Sequence, residues 1–267
     1  MKFCRFFPAA AAADSSHTAQ TATALYGVIS EADVREISGA PWEAWKRTER
    51  TWKLTDVNFA APVQPRKIVC VGRNYAAHAA ELGNEVPKEP LIFLKPSSSI
   101  IGPEENIVLT PYSQRIEHEG ELAMVVGKRC AHLVDSDDAL SYVLGYTCLN
   151  DVTARDLQKS DVQFTRAKSF DTFCPVGPHI ETELAPADVL VETYVNGVKR
   201  QCGSTALMVY PCAFIVRWIS RMMTLEPGDL IATGTPAGVG PLLPGDAVEV
   251  RIAGIGVLRN RVHAHNA

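Results

Sequence analysis

Glu119 and Glu121 are acidic residues separated by one glycine in the segment 116–127, which ends in a run of aliphatic residues. Such a run indicates a strand entering a core. Side chains at positions i and i+2 of a strand point to the same face, so the two carboxylates are expected to lie roughly 6.5–7 Å from each other. Two anions this close repel each other unless a cation lies between them, and hard divalent cations prefer oxygen ligands. The pair therefore predicts metal-assisted chemistry, although most such pairs are only a solvated strand edge, which Glu117, at the same parity, would extend.

A second acidic site follows about thirty residues later. Asp151 comes after the apolar strand 142–149 and before a helical start, so it is expected at a strand end, where side chains of neighbouring strands converge. In the alternative interpretation Asp151 is only the N-cap of the following helix. The local sequence favours neither interpretation over the other.

The segment 72–83 predicts a short helix with Asn74 as N-cap and Gly83 just after its end. His78 and Glu81 are three residues apart and therefore adjacent on one helical face. A carboxylate beside an imidazole orients it and raises its basicity, as a general base requires. The alternative is a surface pair of little energetic consequence. Because its side chains are mostly alanine, this helix can bury little surface, and we expect it to move as a lid.

Composition narrows the class of protein. A chain of 267 residues with 46% hydrophobic and 21% charged residues is typical of a soluble globular protein, and a net charge of −4 without a basic stripe gives no reason to expect nucleic acid. The seven cysteines are scattered without a CxxC pair, which favours buried thiols over a disulfide framework or a zinc site. Lys2 and Arg5 interrupt the apolar N-terminus, and no run reaches membrane-spanning length. We therefore expect a cytoplasmic protein that does not bind membranes.

Proline at positions 62 and 65 marks the expected boundary between a small N-terminal domain, residues 1–62, and a main domain, residues 63–267. In the first, a polar, alanine-rich loop joins strands 2–7 and 24–29, and the tryptophan-rich segment 40–53 packs against a neighbour. Strands of the main domain are expected at 67–71, 91–94, 117–127, 141–150, 189–195, 229–233 and 246–252. Helices are expected at 75–82, 136–140, 154–159 and 211–223, the last serving as core more than as interface. Without regular βα alternation, an α+β architecture with antiparallel or mixed sheet is favoured.

Several sequence blocks together resemble the fumarylacetoacetate hydrolase family, in its branch of acylpyruvate hydrolases and oxaloacetate decarboxylases. The blocks lie in family order and are IVCVGRNY (68–75) with His78 and Glu81, PLIFLKP (90–96), HEGEL (118–122), GYTCLNDVTARDLQ (145–158), AKSF (167–170) with Cys174 and Pro175, and TGTP (233–236) with Gly238 and Gly240. The resemblance implies a mixed β-sheet or β-roll catalytic domain behind a small, variable N-terminal domain.

The resemblance also implies roles for individual residues. The expected ligands of one Mg²⁺ or Mn²⁺ per subunit are Glu119, Glu121 and Asp151. Lys168 would neutralise an oxyanion or enolate, and His78 with Glu81 would form the catalytic dyad of the lid. The residues expected around the substrate are Arg73, Tyr75, Lys95, Arg155, Gln158 and Thr235. The glycine-rich turn that carries Thr235 lacks the Gly-Lys-Ser/Thr of a phosphate-binding Walker loop.

The favoured function is hydrolysis of the C–C bond of acylpyruvate-type 2,4-dioxo acids, as in aromatic catabolism, with pyruvate leaving as an enolate held at the metal and oxaloacetate decarboxylation as a further activity. The cation and Lys168 would stabilise that charge. The first alternative is an isomerase or tautomerase of 2-hydroxyhepta-2,4-diene-1,7-dioate-like acids or of oxaloacetate. The second is a catalytically idle, metal-binding family member. The expected partners are a small anionic 2-oxo acid and a second copy in a homodimer.

Overall fold

A computed structural model describes residues 1–9 and 23–265 of the chain, which fold into three β-sheets with a few short helices. In chain order, the strands within these residues are Lys2–Pro8 (β1), Leu25–Ser30 (β2), Asp33–Ile37 (β3), Arg47–Lys53 (β4), Val57–Ala60 (β5), Ile68–Gly72 (β6), Leu91–Lys95 (β7), Ile100–Ile101 (β8), Asn106–Val108 (β9), Ile116–His118 (β10), Gly120–Val126 (β11), Val143–Asn150 (β12), Thr153–Ala154 (β13), Cys174–Glu181 (β14), Leu190–Val195 (β15), Val198–Ser204 (β16), Leu230–Ala232 (β17), Gly240–Pro241 (β18), Ala247–Ile252 (β19) and Gly256–His263 (β20). The α-helices are Ala76–Glu81 (α1), Arg155–Ser160 (α2), Thr165–Lys168 (α3) and Cys212–Met222 (α4). The expected α+β class is confirmed.

The largest sheet has twelve strands in the order β4-β3-β2-β1-β14-β12-β11-β17-β6-β7, with β5 beside β1 and β8 beside β14. It is mixed, because β17 runs parallel to β6 while its other neighbour, β11, is antiparallel. The second sheet has the order β13-β10-β18 and the third the order β16-β15-β19-β20-β9. Strands β10 and β13 belong to the second sheet, whereas β11 and β12 belong to the largest one. Since β10 leads directly into β11 and β12 leads into β13, the chain crosses between these two sheets at two neighbouring points.

Strand β11 is buried along its whole length because it has an apolar core on each face. Leu122 and Met124 point into one hydrophobic cluster, which α4 covers, whereas Ala123 and Val125 point into the other. This follows from the alternation of side chains along a strand. Burial of each large aliphatic side chain contributes about 1.5–3 kcal/mol, so the two cores hold β11 rigidly where it leads away from the acidic residues.

The N-terminal strands belong to the same large sheet as the rest of the chain, since β1 pairs with β14 as well as with β2 and β5. The tryptophan-rich segment packs as expected, with edge-on contacts of Trp45 to Phe3 and Trp52 to Phe6 at ring-centroid distances of 5.4 and 5.1 Å. The predicted alanine-rich loop lies largely outside the described residues, and the domain division at residues 62 and 63 stays a prediction.

The seven predicted strands of the main domain are confirmed, except that the one at 117–127 is interrupted at Glu119 and the one at 141–150 begins only at Val143. A predicted helix at 136–140 is wrong. Asp137 accepts a hydrogen bond from the backbone N–H of Val134, and such local side-chain bonds favour turns over helix. A 3-10 turn at Ala139–Tyr142 follows instead. The sequence did not indicate the long strands β14, β16 and β20, nor the short strands β8, β9, β13 and β18.

Helix α4 confirms the expected core role, because Ile215, Val216 and Ile219 are fully buried. Its other side leaves Phe214 and Met222 partly exposed, and the expectation of a homodimer stays a prediction. None of the described helices has the length and apolar character that crossing a membrane requires. All seven cysteines are free and all but Cys202 are buried, as the scattered pattern predicted.

Candidate active site

Glu119, Glu121 and Asp151 meet where the chain crosses between the first two sheets. Glu119 is the residue between β10 and β11, and Asp151 directly follows β12. The two crossings are held side by side, because the N–H of Asp151 donates to the Glu119 carbonyl at 2.8 Å and the N–H of Glu119 donates to Asn150 Oδ1 at 2.9 Å. One carboxylate oxygen of each acidic residue lies within 4.8 Å of the others, and all three side chains are buried.

Two buried lysines contact this carboxylate cluster. Lys168, at the end of α3, donates from Nζ to Asp151 Oδ2 at 2.6 Å and to Glu119 Oε2 at 2.9 Å. Burial alone would lower the pKa of Lys168, but the carboxylates of Asp151 and Glu119 outweigh it and raise that pKa above its usual value. Lys95, the last residue of β7, donates to the other Asp151 oxygen at 2.7 Å. Asp151 is therefore paired with lysines and does not cap α2.

Glu117 lies at the same strand parity as Glu119 and Glu121, which led to the interpretation that it extends a solvated strand face. That interpretation is wrong. The Glu117 side chain is buried and accepts a hydrogen bond at 2.7 Å from Nε of Arg155, whose Nη2 bonds to Glu119. Arg155 also bonds to Gln158 Oε1. The buried guanidinium thus joins Glu117 to Glu119, and both carboxylates raise its pKa against the effect of burial. Glu117 holds Arg155 against the cluster, a role that its sequence context did not indicate.

The carboxylates of the cluster differ in how far nearby positive side chains balance their charge. Burial would raise the pKa of Glu119, but Lys168 and Arg155 overcome it and hold that pKa well below the usual value. Burial, Asp151 and Glu119 all raise the pKa of Glu121, whose carboxylate accepts the backbone N–H of Gly234 at 2.7 Å. The charged form of Glu121 is therefore disfavoured by its surroundings, and a bound cation would be needed to stabilise it. Three converging hard oxygen donors fit a divalent cation such as Mg²⁺ or Mn²⁺.

Gln201, on β16, joins the third sheet to the cluster and was missed by the sequence analysis. Its Oε1 accepts the backbone N–H of Gly120 at 3.0 Å and contacts His118 Nδ1 at 3.1 Å. Its Nε2 donates to Thr235 Oγ1 and to the Pro236 carbonyl, each at 2.7 Å. The fully buried amide therefore fixes the backbone between the two glutamates against the segment that carries Thr235. The Asn196-Gly197 pair, a strong hairpin signal, could have revealed β16.

The predicted dyad forms on α1, where His78 Nδ1 lies 3.3 Å from Glu81 Oε2. Both oxygens of Glu81 also accept the backbone N–H of Gly238, at 3.0 and 3.1 Å. Gly83 ends the helix with a φ of 69°, as predicted. Asn74 is not the N-cap. Its side chain instead bonds to backbone atoms of Tyr210 and Thr233, so it anchors the start of the lid to the protein body.

A cavity of about 510 Å³ opens above the carboxylates. Of the predicted site residues, those lining it are Arg73, His78, Glu119, Glu121, Asp151, Arg155, Gln158, Lys168 and Thr235. Three lie elsewhere. Lys95 is buried behind Asp151, Glu81 is behind His78, and Tyr75 lies in the hydrophobic core with its hydroxyl unpaired among the described residues. The aromatic ring of Tyr75 belongs to the packing beneath the lid.

Comparison with known proteins agrees with this architecture. The family model described as fumarylacetoacetate (FAA) hydrolase C-terminal matches residues 67–263, and the model described as Rv2993c-like, N-terminal, matches residues 1–62. Over 221 residues the chain is 44% identical to the mitochondrial oxaloacetate tautomerase FAHD2A of Bos taurus, which covers 78% of this chain and 70% of that protein.

Two solved structures are also similar. The 5-carboxymethyl-2-hydroxymuconate delta-isomerase from Mycobacterium smegmatis is 42% identical, with a TM-score of 0.87 over 99% of this chain and 100% of that one. The fumarylpyruvate hydrolase from Pseudomonas aeruginosa, in complex with Mn²⁺ and pyruvate, is 30% identical, with a TM-score of 0.72 over 82% of this chain and 93% of that one. The chain belongs to the fumarylacetoacetate hydrolase family.

Proposed function

We propose that this protein is a divalent-cation-dependent enzyme that enolises small 2-oxo acids, acting as a keto–enol tautomerase or isomerase. The observation that carries the proposal is the buried cluster of Glu119, Glu121 and Asp151 facing His78 across one cavity. Relatives named tautomerase and isomerase, at 44% and 42% identity, support proton transfer as the reaction. The sequence alone favoured hydrolysis and gave an isomerase or tautomerase as the first alternative. The proposal ranks these two functions in the opposite order.

The three carboxylates would hold Mg²⁺ or Mn²⁺, and the bound cation would supply a Lewis acid for the 2-oxo acid. The Lys168 ammonium lies beside Glu119 and Asp151 and would stabilise negative charge developing on the 2-oxo oxygen. Arg155 is held in place by two carboxylates and keeps Glu119 oriented. These groups are buried and fixed before substrate arrives, so little reorganisation is needed when charge develops.

His78 is the candidate base, because its ring lines the cavity and Glu81 fixes one ring nitrogen. It would accept a proton from C3 of the substrate. The C–H electron pair then forms the C2–C3 double bond, and the carbonyl electron pair moves to the 2-oxo oxygen, which takes a proton from solvent water to give the enol. In the reverse direction the protonated His78 returns its proton to carbon. Returning it at a different carbon of a conjugated acid gives an isomerase.

Hydrolysis of a C–C bond is the second candidate, and the same dyad favours it. His78 could take a proton from water, whose oxygen would attack the C4 carbonyl while the C3–C4 bond breaks toward an enolate. The similarity to a fumarylpyruvate hydrolase supports this alternative. Retention of His78, Glu81 and Lys168 in one arrangement argues against a catalytically idle protein.

The deciding experiment adds the purified protein, stripped of metal and then supplied with Mg²⁺ or Mn²⁺, to oxaloacetate, acetylpyruvate and fumarylpyruvate in deuterated water. Proton NMR follows both deuterium uptake at C3 and the appearance of cleavage products. Cation-dependent uptake without cleavage supports the tautomerase, and stoichiometric pyruvate release from the dioxo acids supports the hydrolase. An absence of both reactions with every cation would refute the proposal.

A further inference from the structure

Glu117 is linked to the carboxylate cluster through a single side chain, that of Arg155. Nε of Arg155 donates to Glu117 Oε2 at 2.7 Å, and its Nη2 bonds to Glu119 Oε1. The Nε and Nη2 groups of a guanidinium can hold both oxygens of one carboxylate, but here this fork is divided between two residues. Arg155 therefore balances part of the charge of each carboxylate.

The pairing of β10 with β13 brings Glu117 and Arg155 together. Glu117 is opposite Thr153 in the antiparallel register, and the backbone N–H of Arg155 donates to the Arg115 carbonyl at 2.7 Å. The Glu117 and Arg155 side chains are only 1% and 2% exposed. A carboxylate buried so deeply is costly without a partner, and the strand pairing supplies one from 38 positions further along the chain.

Arg115 contacts Glu117 from the solvent side. Its Nε lies 2.5 Å from Glu117 Oε1, but the Arg115 side chain is 59% exposed. Water and salt screen an ion pair at such a position, so its energetic effect is small. The negative charge of Glu117 is therefore felt mainly on the buried side, toward Arg155 and the cluster.

The buried charges at the cluster balance only if Glu117 is left out of the count. Metal ligands act in their ionised form, so the three expected ligands contribute three negative charges when a cation binds. Three buried cations contact those ligands, namely Lys95, Arg155 and Lys168. With Glu117 included, the buried group has one negative charge in excess. Such an excess favours binding of a divalent cation.

We infer that Glu117 is a positioning residue that sets the cation affinity of the site, because it draws Arg155 away from Glu119 and supplies the excess negative charge. The inference rests on the proposed function, which places Mg²⁺ or Mn²⁺ at the three carboxylates. Glu117 lies outside the group of ligands whose oxygens are within 4.8 Å of one another, so it acts without binding the cation. Residues behind the ligands commonly change metal affinity by about 10–100-fold.

The test is calorimetric titration of the purified, metal-stripped protein with Mn²⁺. Glu117→Gln keeps the shape of the side chain and removes its charge, so Mn²⁺ affinity should fall by about 10–100-fold. Arg115→Met removes a positive charge on the other side of Glu117, and affinity should stay the same or rise. Loss of packing alone would not give opposite directions in the two variants. Glu49→Gln, at a fully exposed position, is the charge-matched control and should bind as the wild type does.

The double variant Glu117→Gln with Arg155→Gln removes one charge of each sign and keeps the net charge of the buried group. It should bind Mn²⁺ within about threefold of the wild type, which decides the question even if Glu117→Gln alone does not fold. Unchanged affinity in Glu117→Gln, weaker binding in Arg115→Met, or a tenfold loss in the double variant overturns the inference and leaves the proposed function intact. If the wild type binds neither Mn²⁺ nor Mg²⁺, the proposed function itself fails.

Discussion

The carboxylate of Glu81 accepts the backbone N–H of Gly238 with both of its oxygens, at 3.0 and 3.1 Å. The same carboxylate contacts His78 across one helical turn. Glu81 therefore connects the lid helix α1 to the glycine-rich turn on the protein body and, in doing so, fixes the imidazole over the cavity. One side chain therefore both orients the imidazole and ties α1 to the protein body.

Glu81→Gln should separate these two roles. The amide oxygen can still accept the Gly238 N–H, but it cannot stabilise a positively charged imidazole. We expect kcat for C3 exchange to fall about tenfold or more with KM nearly unchanged, because proton transfer loses its oriented partner. Glu81→Ala, which loses both contacts, should lower kcat further and also raise KM. Identical kinetics of the two variants would contradict the separate role of the Gly238 contact.

His78→Ala removes the candidate base while leaving the carboxylate cluster untouched. We expect a loss of about 10²–10⁴-fold in cation-dependent C3 exchange, the usual contribution of a positioned general base. Mn²⁺ binding, measured by calorimetry, should stay at the wild-type value. Retained exchange combined with lost cleavage of dioxo acids would instead assign His78 to water activation and favour the hydrolase.

Glu119→Gln tests the cation site directly. The substitution removes one anionic ligand and leaves Lys168 and Arg155 facing a neutral amide. We expect divalent-cation binding and nearly all turnover to be lost, with calorimetry and exchange kinetics as the two measurements. Glu49→Gln, at a fully exposed position, is the matched control. An active variant that needs no cation would refute the metal site.

Gln201→Met tests whether the third sheet positions the acidic cluster. Methionine keeps the approximate volume but leaves the backbone N–H of Gly120 and the carbonyl of Pro236 without their buried partner. Unsatisfied buried groups cost about 1–3 kcal/mol each, so denaturant unfolding should show a clear loss of stability. Mn²⁺ affinity should also fall, which a purely structural role would not require. Gln64→Met, at an exposed position, serves as the control.

His179 predicts a pH dependence of stability. Burial and, to a smaller extent, Lys2 and the N-terminal amine lower its pKa to about 4 against the opposing effect of Glu181, and Nε2 has no partner in the described part of the chain. In the unfolded chain its pKa is about 6.5, so as pH falls the unfolded state binds the proton first. The free energy of unfolding should drop by about 3 kcal/mol between pH 6.5 and 4.

Urea titrations across that pH range should show a smaller decrease for His179→Gln, which cannot take up the proton. A glutamine at another buried histidine would perturb packing elsewhere, so the exposed His263→Gln is the better control and should keep the wild-type slope. An unchanged slope in His179→Gln would mean that other groups cause the acid sensitivity.

Aliphatic runs and turn residues predicted the strands that carry the acidic cluster, because the many apolar residues of β11 and β12 indicate that these strands are buried. Strand β14 escaped prediction because Pro175, Gly177 and Pro178 interrupt it, and proline usually argues against a paired strand. Strand β16 is mostly polar and is held by its pairing with β15. A polar strand shows no apolar alternation, so the local signal for β16 is the Asn196-Gly197 turn that joins it to β15.

The residues of the site also differ in whether the sequence alone indicates them. Glu119, Glu121, Asp151 and the His78–Glu81 pair could be proposed from spacing and resemblance, because each lies at a recognisable strand end or helical face. Glu117 and Gln201 could not, since each works through a partner distant along the chain, Arg155 in one case and Thr235 in the other. Positioning residues become visible only in the folded chain.

Glu119 and Asp151 both occupy the crossings between the first and second sheets, and Gln201 reaches them from the third. No single supersecondary unit therefore contains a complete site, and an excised hairpin bearing the acidic residues would not retain their arrangement. Helix α1, which carries His78, lies outside that junction. Changes in α1 could therefore alter access to the cavity while the junction of the sheets, and the acidic cluster it holds, stayed unchanged.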